Sequence, residues 1–343
     1  MTRAERQDCL KRIEELRGSR VISYITSDRP NLSTQIADDT VSLFYELLEE
    51  MGPQEKIDLY LYTRGGNTVA PLRIVNLVRE YCKSFNVIVP YRAHSAGTLI
   101  AIGGDTIVMG RLSELSPVDP STANEFNPPS PTNPGQKSPI SVEDITAYLA
   151  LAEKQAKLTS EATRLEVFKA MTSQLNVMAL GNVQRVYLEI RNFAESLLRL
   201  HMTSEKERAR IPKIIQFLTE TYTHDYLIAR NEAKQIGLPV VFPTAPLEKE
   251  IVGLFKTYEK DLSLKVPFNP DALLEGKESV EFSFETAYLE NTVKAFSFVQ
   301  SGNAQRVVSK MQVPPGVVAP PQLAGIPTVT VRLTKQVWEL VRE

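Results

Sequence analysis

Four short apolar runs recur along the first third of the chain: Val21 to Thr26, Ile57 to Tyr62, Asn86 to Tyr91 and Asp105 to Met109. Each reads as a strand of a layered α/β unit. Between them, Gln35 to Met51 and Val69 to Phe85 carry apolar positions at helical spacing, and a run of small residues from Ala96 to Ile102 predicts a third helix. Strands separated by helices of that length need crossover connections, so the pattern predicts an α/β fold on a largely parallel sheet. Ahead of the first strand, Leu10, Ile13 and Leu16 recur amid charges and mark a short amphipathic helix over residues 1–20.

The pattern then breaks. Residues 117–140 are dominated by Pro, Ser, Asn and Thr and bury little, which predicts a long loop of the kind that often serves binding. Ser141, with Asp144 three positions later, supplies a helix start, and helical spacing continues to about Tyr222. One stripe is Ile145, Leu149, Ala152 and Ala156; another is Val186, Ile190, Phe193, Leu197 and Leu200. A short helix from Asn231 stops at Gly237 and leads into a strand at Val240, after which residues to Leu264 are poorly patterned. Alternation returns at Val280 to Phe284, followed by an expected helix from Ala287 to about Gln300, a Pro-rich link and a last strand from Thr328 to Leu333. These breaks divide the chain into an N-terminal helix (1–20), a main domain (21–265) and a small α+β extension (266–343).

Composition narrows the function. The 39 Lys and Arg against 41 Asp and Glu give a net charge of −2, which supplies no positive field for nucleic acid or anionic lipid. Only Cys9 and Cys82 are present, too few for a disulfide framework or a thiolate metal site. The charged N-terminus lacks the apolar core of a signal peptide, and no run approaches the ~20 apolar residues of a membrane span, so a cytoplasmic location is expected. The three histidines have no partner at ligand spacing and no phosphate-binding glycine loop is present, so neither a metal nor a cofactor is expected.

Two loops leave the predicted sheet at its carboxyl edge. One is Tyr91-Arg92-Ala93-His94-Ser95-Ala96-Gly97-Thr98, in which a serine stands between a strand and a small-residue helix. Free backbone N–H groups at such a junction stabilise a developing oxyanion, which suits Ser95 as a nucleophile; an N-cap serine is the commoner role in that place. The other is Thr63-Arg64-Gly65-Gly66-Asn67-Thr68, whose paired glycines allow an N–H to face a bound carbonyl, although Gly-Gly after a strand is usually only a turn.

Together these loops resemble the Clp-peptidase/crotonase superfamily and, more closely, the serine dehydrogenase proteinase family, relatives of signal peptide peptidase A. Asp105 to Gly110, Leu115 to Pro120 and the segment from His224 to Leu238 take part in the resemblance, which covers about Val21 to Val240. It implies a Clp/crotonase-like parallel-sheet core with an added helical layer, and a serine peptidase in which Ser95 attacks an amide carbonyl while the N–H groups of Gly66 and Ala96 hold the oxyanion. A Clp-type histidine is missing from Leu115 to Ser121, which argues against a Clp-type triad. His94 adjoins the serine, where neighbouring side chains point apart, and His201 ends an apolar stripe. Signal peptide peptidase A relatives use a lysine, which makes Lys137 the first choice for the base, with Lys154 and Lys157 behind it; a lysine in that role needs desolvation to bring its pKa toward neutrality. Asp119 and the pair His224 and Asp225 are possible auxiliaries, although each is also an ordinary turn or capping residue. The implied partners are a peptide or unfolded-protein substrate and further copies of the chain, with no nucleic acid and no integral membrane segment. Two alternatives stay open: an inactive oligomeric scaffold that binds peptides, and a crotonase-type acyl-thioester enzyme using Asp119.

Overall fold

The computed structural model describes residues 3–118, 121–122, 124–131, 133, 135–220, 226–309 and 326–341. The chain divides into two compact units, Ile36–Thr244 and Met1–Gln35 with Ala245–Glu343.

The Ile36–Thr244 unit is built on four parallel strands in the order Val240–Val241, Thr106–Met109, Cys82–Val89, Gln54–Tyr62. From Ile57 to Tyr62 and from Phe85 to Val89 every residue is buried, as two-sided coverage requires. The Ala70–Glu80 helix is shorter than expected, because the chain is already strand at Cys82. Arg79 closes the helix by reaching the Gly103 carbonyl and Asp105 at 2.7 Å each, while the other Asp105 oxygen accepts the Phe85 N–H at 3.0 Å. The polar entry to the strand, Lys83 and Ser84, hid it from periodicity. The preceding helix, Thr40–Met51, likewise starts late, since Ile36 is held in an extended bridge to Gly66.

A helical layer follows, with Val142–Ala150, Glu161–Gln174, Val177–Arg199 and Ile211–Glu220. Ser141 caps the first by accepting the N–H groups of Glu143 and Asp144. Helix Val177–Arg199 buries Ala179, Val183, Ile190, Ala194 and Leu197, and Leu197 packs at Gly103, just past the Ala96–Ile102 helix. The stripe from Ile145 behaves differently: Ile145 packs on Val142 and Val183, whereas Leu149 is 40 % exposed. The helix ends in a π-helical turn, Leu151–Gln155, that carries the stripe away from the core.

In the other unit, Arg20–Thr26, Ser279–Glu290, Ala295–Ser309 and Ile326–Leu340 form an antiparallel sheet in that order. The expected helix from Ala287 to Gln300 is therefore wrong. Those residues form two strands joined by a tight turn, in which Asn291 Oδ1 accepts the N–H groups of Val293 and Lys294 at 2.8 Å. Phe296 and Phe298, two apart, share one face of the strand, opposite Leu289 and Ala287. Helix Ala245–Asp261 was not legible; it buries Leu247, Ile251, Leu254 and Tyr258 against the Arg3–Arg17 helix and its surroundings. Among the described residues no helix is long and apolar enough to cross a membrane.

The N-terminal helix is fastened by a buried charge cluster. Arg6, 4 % exposed, donates to Glu290 at 2.7 Å and to Asp261 at 2.7 Å, and its guanidinium lies 4.3 Å from the Tyr288 ring centre. Tyr258 donates its hydroxyl to Glu290 at 2.6 Å, and burial pushes both tyrosine pKa values up. Removing Glu290 strips the buried Arg6 of one of its two carboxylate partners and takes away the acceptor of the Tyr258 hydroxyl. Glu290→Ala is expected to lower unfolding free energy by about 3–5 kcal/mol, read from urea midpoints at unchanged m-value.

Candidate active site

The two loops converge as their positions at the sheet edge suggest. Thr63 N–H donates to the Arg92 carbonyl at 2.9 Å and His94 N–H to the Thr63 carbonyl at 3.1 Å, so the residues after one strand run alongside those after the next. The glycine turn is pinned from the far side by Ile36, whose N–H reaches the Gly65 carbonyl and whose carbonyl accepts from Asn67, both at 2.8 Å. Asn67 then accepts from Val69 and Ala70 and starts the Ala70–Glu80 helix. Gly65 and Gly66 have φ of 110° and 146°, which L side chains rarely adopt.

Ser95 has φ 51° and ψ −113°, and the Gly97 N–H bonds the His94 carbonyl at 2.8 Å. This is the geometry of the first central position of a type II′ turn, a place normally taken by glycine. A side chain there costs on the order of 1–3 kcal/mol, so the surroundings must hold it. They do: the Ser95 N–H donates to Ser116 Oγ at 2.8 Å, and Ser116 N–H donates to Thr98 Oγ1 at 3.2 Å. The Thr98 hydroxyl in turn lies 2.8 Å and 2.9 Å from the Ser116 and Ala93 carbonyls. A Cβ at Gly65 would stand 2.8 Å from Ser95 Cβ and 3.1 Å from the His94 carbonyl, and one at Gly97 would stand 2.5 Å from Thr63 Cγ2. Both glycines are thus required by close approach.

The N-cap reading of Ser95 fails. It stands directly before the Ala96–Ile102 helix, yet its hydroxyl caps no helix N–H and makes no hydrogen bond with a described residue. The residue is 8 % exposed. The Gly66 and Ala96 N–H groups also donate to no described acceptor, whereas Gly65 N–H is taken by Thr63 Oγ1 at 3.0 Å.

His94 turns to the neighbouring Glu114–Leu115 strand, with Nε2 3.1 Å from Glu114 Oε1, and Arg92 reaches the same oxygen at 3.0 Å. His201 is structural: its Nε2 meets the Ile102 carbonyl at 2.9 Å, and burial pushes its pKa below the ordinary value. Lys137 is exposed, pairs through its backbone with Pro129, and makes no side-chain hydrogen bond or ion pair with a described residue. Lys154 and Lys157 are exposed on and just after the π-helical turn. Asp119, His224 and Asp225 lie outside the described residues. Sequence reasoning gave no role to Thr63, Thr98 or Ser116; the available signal was a hydroxyl at each strand or helix end bordering the serine. Burial pushes the Cys82 thiol up to about 11 and raises that of Cys9, so neither is a thiolate at neutral pH.

The profile of the ClpP-like SDH-type serine proteinases matches residues 1–174. The chain belongs to that family. Among curated relatives, the uncharacterised protein MJ0137 of Methanocaldococcus jannaschii is 30 % identical over 210 residues, 61 % of this chain and 60 % of that one. This family member therefore spans under two thirds of that relative's length. MJ1495 of the same organism, also uncharacterised, is 23 % identical over 269 residues, 76 % of this chain and 79 % of that one. Similar solved structures include a lysine-to-alanine variant of the 1510-N membrane-bound stomatin-specific protease with a substrate peptide, with 17 % identity, TM-score 0.37, and coverage of 73 % of this chain and 85 % of that one. A serine-to-alanine variant of the same protease has 16 % identity, TM-score 0.37, and coverage of 73 % and 89 %.

Ser95→Gly is expected to stabilise the fold by about 1 kcal/mol, measured by urea unfolding, because it relieves φ strain and removes no hydrogen bond. Gly65→Ala is expected to destabilise by about 1–3 kcal/mol through both strain and overlap. Because His201 titrates lower in the folded state than unfolded, stability is expected to fall as pH drops below about 6.5, and His201→Asn to flatten that slope.

Proposed function

We propose that the chain is a serine peptidase in which Ser95 is the nucleophile and the N–H groups of Gly66 and Ala96 form the oxyanion hole. The observation that carries this reading is the strained, uncommitted serine beside two backbone amides that have no described acceptor. Family membership adds the reaction class. In the proposed reaction Ser95 Oγ bonds to the amide carbonyl carbon and loses its proton to a base. The amine then leaves with a proton, and water hydrolyses the resulting ester.

For the base we favour Lys137, on the resemblance to lysine-using relatives. Its exposed position lacks the desolvation a neutral lysine requires, so the reading needs a closing segment, the substrate or another subunit to bury it. Peptides or unfolded segments are the proposed substrates. A second reading, a scaffold that binds peptides without cleaving them, is favoured by one observation: no described group accepts the Ser95 proton.

Fluorophosphonate labelling separates the two. Labelling of the wild type that is lost in Ser95→Ala supports the peptidase; wild type that resists labelling and leaves a casein or peptide library intact supports the scaffold. With labelling present, Lys137→Ala is expected to lower kcat by about 10²–10⁴-fold, the usual size of a general-base contribution, while Lys137→Arg gives no rescue.

A further inference from the structure

The sheet of the Met1–Gln35 and Ala245–Glu343 unit ends on one long strand. Ile326–Leu340 pairs along one side with Ala295–Ser309, and no described strand pairs with its other side. Its 15 residues present roughly 50 Å of edge, with about half the backbone N–H and C=O groups turned outward. Edges of that length are normally shortened, charged, bulged or covered, and this one has a bulge and Pro327 but no described cover. Here the charges within the strand are of both signs, Arg332, Lys335 and Glu339.

The register sorts the side chains. Val331, Leu333, Trp338 and Leu340 stand opposite Ala304, Gly302, Phe298 and Phe296, and a bulge at Ser301/Gly302 keeps all four on one face despite uneven spacing. Val331 and Leu333 are each 40 % exposed and Leu340 is 49 % exposed. Arg332 and Glu339 stand opposite Asn303 and Ser297 on the other face. Glu339 already meets Lys335, whereas Arg332 makes no ion pair with a described residue.

We propose that the Val331 to Leu340 edge pairs antiparallel with the same edge of a second copy of this chain, about a two-fold axis. Reversed on itself, the segment sets Arg332 opposite Glu339 of the second copy on one face. On the other face Val331 meets Leu340 and Leu333 meets Trp338. Each pairing occurs twice, as a two-fold interface demands. Opposite charges and apolar residues directly across an antiparallel pair are stabilising, and like charges are not. A partner of a single charge would leave Arg332 or Glu339 facing its own sign, so charge order favours the copy over an acidic or basic protein.

Sedimentation velocity of the full chain over a hundredfold concentration range tests this. A dimer is expected, weakened by about tenfold or more in Arg332→Glu, which trades two attractions for two repulsions, and similarly in Glu339→Arg. The double variant R332E/E339R is expected to recover dimerisation. Arg332 is exposed and makes no ion pair with a described residue, so at concentrations where the wild type is monomeric its variants keep the wild-type melting temperature; Arg332→Gln gives a milder loss of dimerisation in the same direction. The proposal is overturned if the wild type is monomeric throughout, if its dimer is indifferent to both single variants, or if the double variant is no better than either. A monomer whose edge takes up only an extended peptide of other sequence also overturns it.

Discussion

The close approach of Gly65 to Ser95 is the constraint on which the site depends. With no Cβ at Gly65, the backbone after strand Gln54–Tyr62 runs within van der Waals reach of the Ser95 side chain and the His94 carbonyl. Gly65 and Gly66 take φ values that other residues rarely adopt, and Ile36 holds the turn from behind through paired main-chain bonds. Sheet, turn and serine are therefore one rigid object. Strain at Ser95 persists because Ser116 and Thr98 tie its amide and the helix it precedes to the following strand.

Much of this was legible because it rests on local signals. Buried strands are continuous apolar runs, Gly-Gly after a strand marks a special turn, and Ala96–Ile102 reads as a helix of small residues because Gly97 must admit Thr63. What was not legible depended on partners far off in sequence. The strand at Cys82 begins with polar residues and is fixed by Asp105; the start of the Thr40–Met51 helix is delayed by a bridge to Gly66. The hairpin around Asn291 read as a helix because its cross-strand neighbours, not its own pattern, set the conformation. Within the site, the serine and both glycines came from motif and place, whereas Ser116 and Thr98 act through hydrogen bonds to residues distant in sequence and carry no distinctive spacing.

The charges near the serine are arranged to neutralise one another. Arg92 and His94 both address one oxygen of Glu114, and Arg92 also meets the Tyr91 hydroxyl. His94, the nearest imidazole to Ser95 along the chain, is thereby turned toward Glu114.

The serine itself supplies the strongest argument between a structural and a chemical role. A capping serine adopts an extended conformation and gives its oxygen to a helix N–H, as Ser141, Ser160 and Ser204 do in this chain. Ser95 does neither: it sits at positive φ, where glycine would be easier, and its oxygen serves no described N–H. A side chain that costs the fold conformational energy and returns no hydrogen bond to a described residue is unexplained by stability alone. A use outside the fold would account for the hydroxyl, and the proposed attack on a carbonyl beside the Gly66 and Ala96 amides, which donate to no described acceptor, is such a use.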